Sequence, residues 1–174
     1  MNGKPELIKS QEVYFLEQQR FRQWWLWLIV LVPPISLVWP IYQQFVMNPL
    51  ASNGLGGDYV LILVTFIFGL GFPVFIYNTG LDTEVREDGV CIRFRPFHRK
   101  WVVFGFDYIH EAHAITYSPL KDYGGWGIRY GRKGKAYNVS GNKGVMLSMK
   151  DGKAIMIGSQ NNKDLWNVIN ERLS

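Results

Sequence analysis

Over residues 23–78 the chain carries a single residue of the Asp, Glu, Lys or Arg type, Asp58. A stretch so bare of charge cannot present a solvated face, so it is either the core of a large domain or a membrane segment. Residues 24–46 read WWLWLIVLVPPISLVWPIYQQFV and residues 59–77 read YVLILVTFIFGLGFPVFIY. As helices they would rise to about 34 and 28 Å, on either side of the ~30 Å hydrocarbon thickness of a bilayer. A buried helix of a soluble domain is usually shorter and keeps a polar stripe. Pro33, Pro34, Pro40, Pro73, Gly69 and Gly71 interrupt both runs, and these residue types are more frequent in membrane helices than in soluble ones. The pattern predicts two transmembrane helices, 24–46 and 59–77, joined by a connector over 47–58. Aromatic residues make up 16% of the chain, which excludes a disordered polypeptide.

Trp24, Trp25, Trp27, Tyr59 and Tyr77 stand at or near the ends of these runs, where amphipathic rings prefer the headgroup level, and are expected to be interface anchors. A cleavable signal peptide is not expected, because the apolar run exceeds the 7 to 15 residues of a signal core and no small-residue cleavage site follows. Lys4, Lys9, Arg20 and Arg22 precede the first run, the 47–58 connector has no Lys or Arg, and Arg86, Arg93, Arg95, Arg99 and Lys100 follow the second. Cationic flanks stay on the cytoplasmic side, which puts both termini inside and the connector outside. The 1–23 segment is expected to be a cytoplasmic helix. The lone Cys91 excludes an internal disulfide and suits a reducing compartment.

After residue 78 the pattern changes to short alternating runs separated by glycine-rich turns: 81–86, 90–95, 101–105, 111–117, 126–130, 136–139, 145–149 and 154–157. Glu87-Asp88-Gly89 is a hairpin turn signal. Asn161 or Asn162 can cap a helix over 162–173, in which Leu165, Trp166, Ile169 and Leu173 recur at helical spacing. The fold class expected is α+β: a two-helix transmembrane hairpin, then seven or eight antiparallel strands in a small barrel or sandwich over 78–174, closed by a C-terminal helix. This order of elements is that of the pleckstrin-homology superfold. The segments RFRPFHRKW (93–101), YGGWGIRYG (123–131), AYNVSGNKGV (136–145), DGKAIMIGSQ (151–160) and QQRFRQWWLWL (18–28) resemble a family of bacterial membrane proteins of unknown function, in which a two-helix hairpin precedes a pleckstrin-homology-like domain. The resemblance implies the fold and a multi-pass location in the bacterial inner membrane. It supplies no catalytic residue. Phosphoinositide-binding relatives carry basic residues around the first strand-to-strand turn, and here that turn is acidic, so inositol-lipid recognition is not expected.

Residues 79–174 hold 15 Lys or Arg against 10 Asp or Glu. Lys121, Arg129, Arg132, Lys133, Lys135 and Lys143 fall in a stretch whose only acid is Asp122, and they are the expected contact with anionic lipid headgroups. His110 and His113 at spacing three lack the helical arrangement of a zinc hydrolase, so no metal and no cofactor are expected. Gly134-Lys135-Ala136 does not complete a phosphate loop. Cys91 alternates with Val90 and Ile92 and is expected to be a buried small residue with no catalytic role. Nucleic acid is not expected as a partner. The function expected is a non-enzymatic, membrane-anchored interaction or scaffold module whose partner is the bilayer, another protein or a second copy. The alternatives are an accessory subunit of a larger membrane assembly and, further off, an enzyme with a site around His98, His110, Glu111 and Asp107.

Overall fold

The computed structural model describes residues 12–47, 55–131 and 133–174. The chain divides into two compact units, one made of the N-terminal segment up to Gln19 together with Gly80–Ser174, the other of Arg20–Thr79.

The Arg20–Thr79 unit is helical. Helix α1 spans Trp24–Tyr42 and continues as a π-helical turn, Gln43–Met47. A second helical run comprises α2 (Leu55–Val64), a π-helical segment Thr65–Gly71 and α3 (Phe72–Asn78). The wide turn sits just before Pro73. A proline has no amide hydrogen and its ring crowds the carbonyl four residues back, and the π turn absorbs this, with the Phe72 amide donating to the Ile67 carbonyl. The α3 end satisfies its carbonyls with side chains: Asn78 Nδ2 donates to Val74 O and Thr79 Oγ1 to Phe75 O, both at 2.8 Å. Helix α1 packs on the π segment and on α3. Two helices, Trp24–Tyr42 and Tyr59–Asn78, are long and apolar enough to cross a membrane, and only 6% and 0% of their most apolar windows are buried. A soluble core helix would be mostly covered.

The other unit contains nine strands among the described residues, in two sheets. The first is ordered β1 (Val13–Arg20), β2 (Gly80–Arg86), β3 (Gly89–Arg95), β4 (Val102–Gly105). The second is ordered β5 (Ile109–Thr116), β8 (Lys143–Met149), β9 (Ala154–Gly158), β7 (Gly134–Asn138), β6 (Gly127–Gly131). The expectation of seven or eight wholly antiparallel strands is corrected here: β7 and β9 run parallel, because the β6–β7 hairpin is added beside β9 from a connection between β5 and β8. That connection also contains the short helix α4 (Pro119–Tyr123), which begins on a proline and ends on Gly124 at φ 71°.

The leader is the larger correction. It was expected to be helical, yet β1 is a strand at the edge of the first sheet, beside β2. Its inward residues are Glu17 and Gln19, while Val13 and Leu16 are 48% and 58% exposed. Polar residues face in because polar partners await them. Ser159 Oγ donates to Glu17 Oε2 at 2.5 Å, the Gln160 amide donates to Oε1 at 2.8 Å, and Gln19 Nε2 donates to Gly158 O at 2.8 Å.

In the β2–β3 hairpin the expected turn is present, with Arg86 opposite Gly89. Gly89 is required by β4 as much as by the turn: at φ 149° a Cβ there would run into the Phe104 carbonyl. One face of this hairpin is apolar, through Leu81, Val85, Val90, Ile92 and Phe94, all buried. In the second sheet Val145, Leu147, Ile155 and Ile157 form the corresponding buried face. Each such side chain stabilises the fold by about 1.5–3 kcal/mol on removal from water. The C-terminal helix α5 (Asn162–Leu173) buries Leu165 and Ile169 and packs against β5, β8 and β2, so it spans both sheets. The opposite face of the second sheet carries a smaller cluster of Tyr117, Tyr123, Ala136 and Met156.

Candidate functional site

The site that sequence reasoning proposed is a surface, made of interface aromatics on the helices and cations on the β unit. On the helical unit, Trp24, Tyr59 and Tyr77 are 75%, 67% and 58% exposed, and Trp25 is exposed as well. Trp27 and Tyr77 meet edge to face with centroids 6.4 Å apart, which joins the start of α1 to the end of α3. Trp27 Nε1 donates to the Phe21 carbonyl at 3.1 Å. Trp24, Trp25, Trp27 and Tyr77 therefore lie at the end where the chain enters and leaves the unit, and Tyr59 lies at the connector end of the second helical run.

The five described cations of the set are held in different ways. Arg132 lies outside the described residues. Lys121 on α4 and Lys143 at the start of β8 are exposed. Arg129 on β6 donates through Nε to Trp126 O at 3.0 Å, and Trp126 Nε1 donates to Gly141 O at 3.2 Å, which ties this strand to the turn before Lys143. Lys133 lies 3.5 Å from Asp122 Oδ1. The Asp122 carboxyl, which accepts the Ser118 amide and faces Lys133, titrates below the ordinary carboxylate value. Lys135 is half-buried, with Nζ 4.8 Å from the Tyr137 ring centroid and 5.2 Å from that of Tyr130. Burial works against its charge, but the neighbouring Tyr137 and Tyr130 phenols more than offset this and raise its pKa. Lys133, Lys135 and Lys153 border an open cavity of about 680 Å³ between the β6–β7 and β8–β9 turns, and Lys153 Nζ is held by Asp151 Oδ2 at 2.6 Å.

His98, His110 and Glu111 have separate local roles. His98 belongs to the turn after β3, where its amide donates to Phe94 O at 2.8 Å and its Nδ1 accepts from the Phe94 amide at 3.3 Å. Its ring stands edge-on to Tyr137 at 5.8 Å, and burial, with the Lys135 charge, lowers its pKa. His110 occupies a β-bulge between Ile109 and Glu111 and is exposed. Glu111 pairs with His113 at 3.2 Å and accepts from Ser148 Oγ at 3.3 Å. Asp107 is exposed on the one-turn 3₁₀ helix before β5. Among the described residues no group of three or more His, Cys, Asp or Glu could hold a metal ion. Cys91 is fully buried, and burial, then the Asp88 charge, push its thiol up to about 11.

Sequence reasoning missed a cationic assembly on the second face of the β2–β3 hairpin. Asp82 is buried, and Arg93 is its direct cross-strand neighbour. Arg95 Nη2 donates to Asp82 Oδ1 at 3.0 Å with Nε 2.9 Å from Oδ2, and Arg93 Nη2 donates to Oδ2 at 3.2 Å. Arg93 and Arg86 also stack on Trp101, at 4.6 and 4.8 Å from the ring centroid, and Arg86 pairs with Glu84. The only sequence signal was the spacing of Asp82, Arg93 and Arg95 about the turn, which places them on one face once the register is known.

Fold and site together define an α+β protein in which a charge-poor pair of helices interrupts a two-sheet β unit between its first and second strands. The chain belongs to the family of unknown function DUF6141, whose model matches residues 8–174. No curated protein and no solved structure matches it.

Proposed function

We propose that this chain is a non-enzymatic module of the bacterial inner membrane, anchored by a two-helix hairpin and presenting a pleckstrin-homology-like β unit to the cytoplasm as an interaction or scaffold surface. One observation carries the reading. Strand β1 ends at Arg20 and β2 begins at Gly80, the two are neighbours in one sheet, and the described residues between them form the charge-poor helical unit. A single sheet cannot have strands on both sides of a bilayer, so a membrane-spanning segment inserted there crosses an even number of times. The two exposed apolar helices supply two crossings. The cation-free connector against the cation-rich flanks supports a cytoplasmic β unit.

The pleckstrin-homology comparison is supported by the four-stranded sheet β1–β4, antiparallel from β2 to β4, and the antiparallel run β5–β8–β9, seven strands followed by α5, with the β6–β7 hairpin as an addition. The partner proposed is the anionic leaflet itself, to which each nearby cation contributes about 1 kcal/mol. Lys121, Arg129, Lys133 and Lys143 add to that attraction, together with a protein partner or a second copy. Cysteine labelling in intact cells tests the topology. A Ser52→Cys probe in the connector should react with an impermeant reagent from outside, and Lys163→Cys, exposed on α5, should not. Labelling of Lys163→Cys from outside would sink the proposed sidedness.

A second reading, a subunit of a larger membrane assembly, is favoured by shallow apolar grooves of about 360 and 320 Å³ along the second helical run, beside Gly69 and Gly71. Small residues of this kind let another helix approach closely. Purification in mild detergent decides: a stoichiometric foreign subunit supports this reading, and a monomer or homo-oligomer removes it.

A further inference from the structure

The β2–β3 register locates one turn of the β unit close to the end of the second helix. Asn78 is the last residue of α3, Gly80 is the first of β2, and the Cα partner of Gly80 is Arg95, the last residue of β3. Two residues of extended chain reach at most ~7 Å, and paired strands stand ~5 Å apart, so Arg95 lies within about 12 Å of the helix end by chain and pairing geometry alone. The turn over residues 96–101 follows immediately. Resting on the membrane-spanning reading above, this puts the turn at headgroup depth.

Its composition suits that place. Residues 93–101 contain Arg93, Arg95, Arg99 and Lys100 and no acid, with Phe97 and Trp101 among them. Asp82 and Trp101 occupy Arg93, and Asp82 occupies Arg95. Arg99 and Lys100 are exposed and make no ion pair among the described residues, unlike Lys133 and Lys153. Phe97 is 62% exposed, an apolar ring held outward between cations. The turn is pinned by the paired Phe94–His98 hydrogen bonds and by the Phe94–Phe97 ring contact at 6.1 Å, so the ring and the charges are presented by a fixed scaffold. Burial, then the Lys135 charge, lowers the pKa of His98.

We propose that the 96–101 turn is a membrane foot: Phe97 enters the boundary between headgroups and acyl chains, and Arg99 and Lys100 take the phosphates of anionic phospholipids in the leaflet that the hairpin enters. This contact fixes how the β unit stands on the bilayer.

The test uses the full chain reconstituted into phosphatidylcholine vesicles with and without phosphatidylglycerol, with single nitroxide labels read by collision with an aqueous nickel chelate. Phe97→Cys should be several-fold less accessible to nickel than Glu87→Cys, which lies at the other end of the same hairpin, about 20 Å along the strands. Phosphatidylglycerol should deepen the protection at position 97. The double variant Arg99→Gln/Lys100→Gln should abolish that lipid dependence, and added inorganic phosphate should not. Equal accessibility at positions 97 and 87, or unchanged lipid dependence in the double variant, overturns the foot. Loss of the lipid effect on adding inorganic phosphate would mean that a free phosphate is the ligand, and also overturns it. Labels at Val32→Cys and Leu63→Cys separate the two readings: if they are shielded while position 97 is wet, only the foot fails, and if they are wet the membrane-spanning reading fails with it.

Discussion

At the scale of single residues, Cys91 and Asp82 share one face of the β2–β3 hairpin and meet burial in different ways. Asp82 is held by the Arg93 and Arg95 guanidiniums, whereas burial holds the Cys91 thiol in its neutral form. Burial raises Cys91 from an ordinary 9.0 to about 11. In the unfolded chain the thiol begins to ionise at the lower value, so between the two the unfolded state releases a proton that the folded state retains. The contribution to stability is therefore fully present below pH 9.0 and is lost as the pH rises towards about 11. Thermal unfolding of the full chain in mild detergent should show a steeper alkaline decline for the native protein than for Cys91→Ala. Parallel declines would refute this, and taking the difference removes other groups that titrate in the same range, such as Tyr117 and Tyr123. The buried position of Cys91 was readable from its alternation with Val90 and Ile92. The ionic role of Asp82 was not, because its partners stand eleven and thirteen positions further along the chain.

At the scale of elements, β1 shows why the sequence of the leader, expected to be a helix, does not read as a strand. Strand prediction from sequence assumes apolar residues inward, and here Glu17 and Gln19 are buried while Leu16, on the other face, is exposed. The inversion is stable because Glu17 accepts hydrogen bonds from Ser159 and Gln160, on the segment between β9 and α5, and because Arg172 of α5 lies over the Tyr14 ring at 3.5 Å. Glu17→Ala leaves the buried Ser159 hydroxyl and the part-buried Gln160 amide without their acceptor, at a cost of about 1–3 kcal/mol. Gln18→Ala, on the exposed side of the same strand, should cost less than about 0.5 kcal/mol. Chemical denaturation of the two variants checks the pair, and equal effects would show that the Glu17 bonds contribute nothing. The β2–β3 hairpin, the glycine-marked turns and α5 were readable because each is local. The β6–β7 addition beside β9 was not, since parallel pairing leaves no turn signal to read.

At the scale of the whole molecule, the adjacency of β1 and β2 makes the helical segment an insertion into a sheet rather than a preceding anchor. It follows that residues 80–174 alone lack a strand, and that a short glycine-serine linker from residue 20 to residue 80 should restore it. The linked chain, with residues 21–79 replaced by the linker, should be soluble without detergent and unfold cooperatively, while residues 80–174 without β1 should aggregate or be degraded by protease. A stable, protease-resistant 80–174 fragment would refute the argument. What the amino-acid sequence determined by itself was the existence and length of the two apolar helices, the β character after residue 78 and the C-terminal helix, because charge, hydrophobic period and turn chemistry act over a few residues at a time. Only the tertiary structure decided that the leader is a strand of the same sheet and that the expected basic patch is partly tied up by Asp122 and two tyrosine rings. Those outcomes depend on pairing between segments far apart in the chain, whose partners no local pattern names.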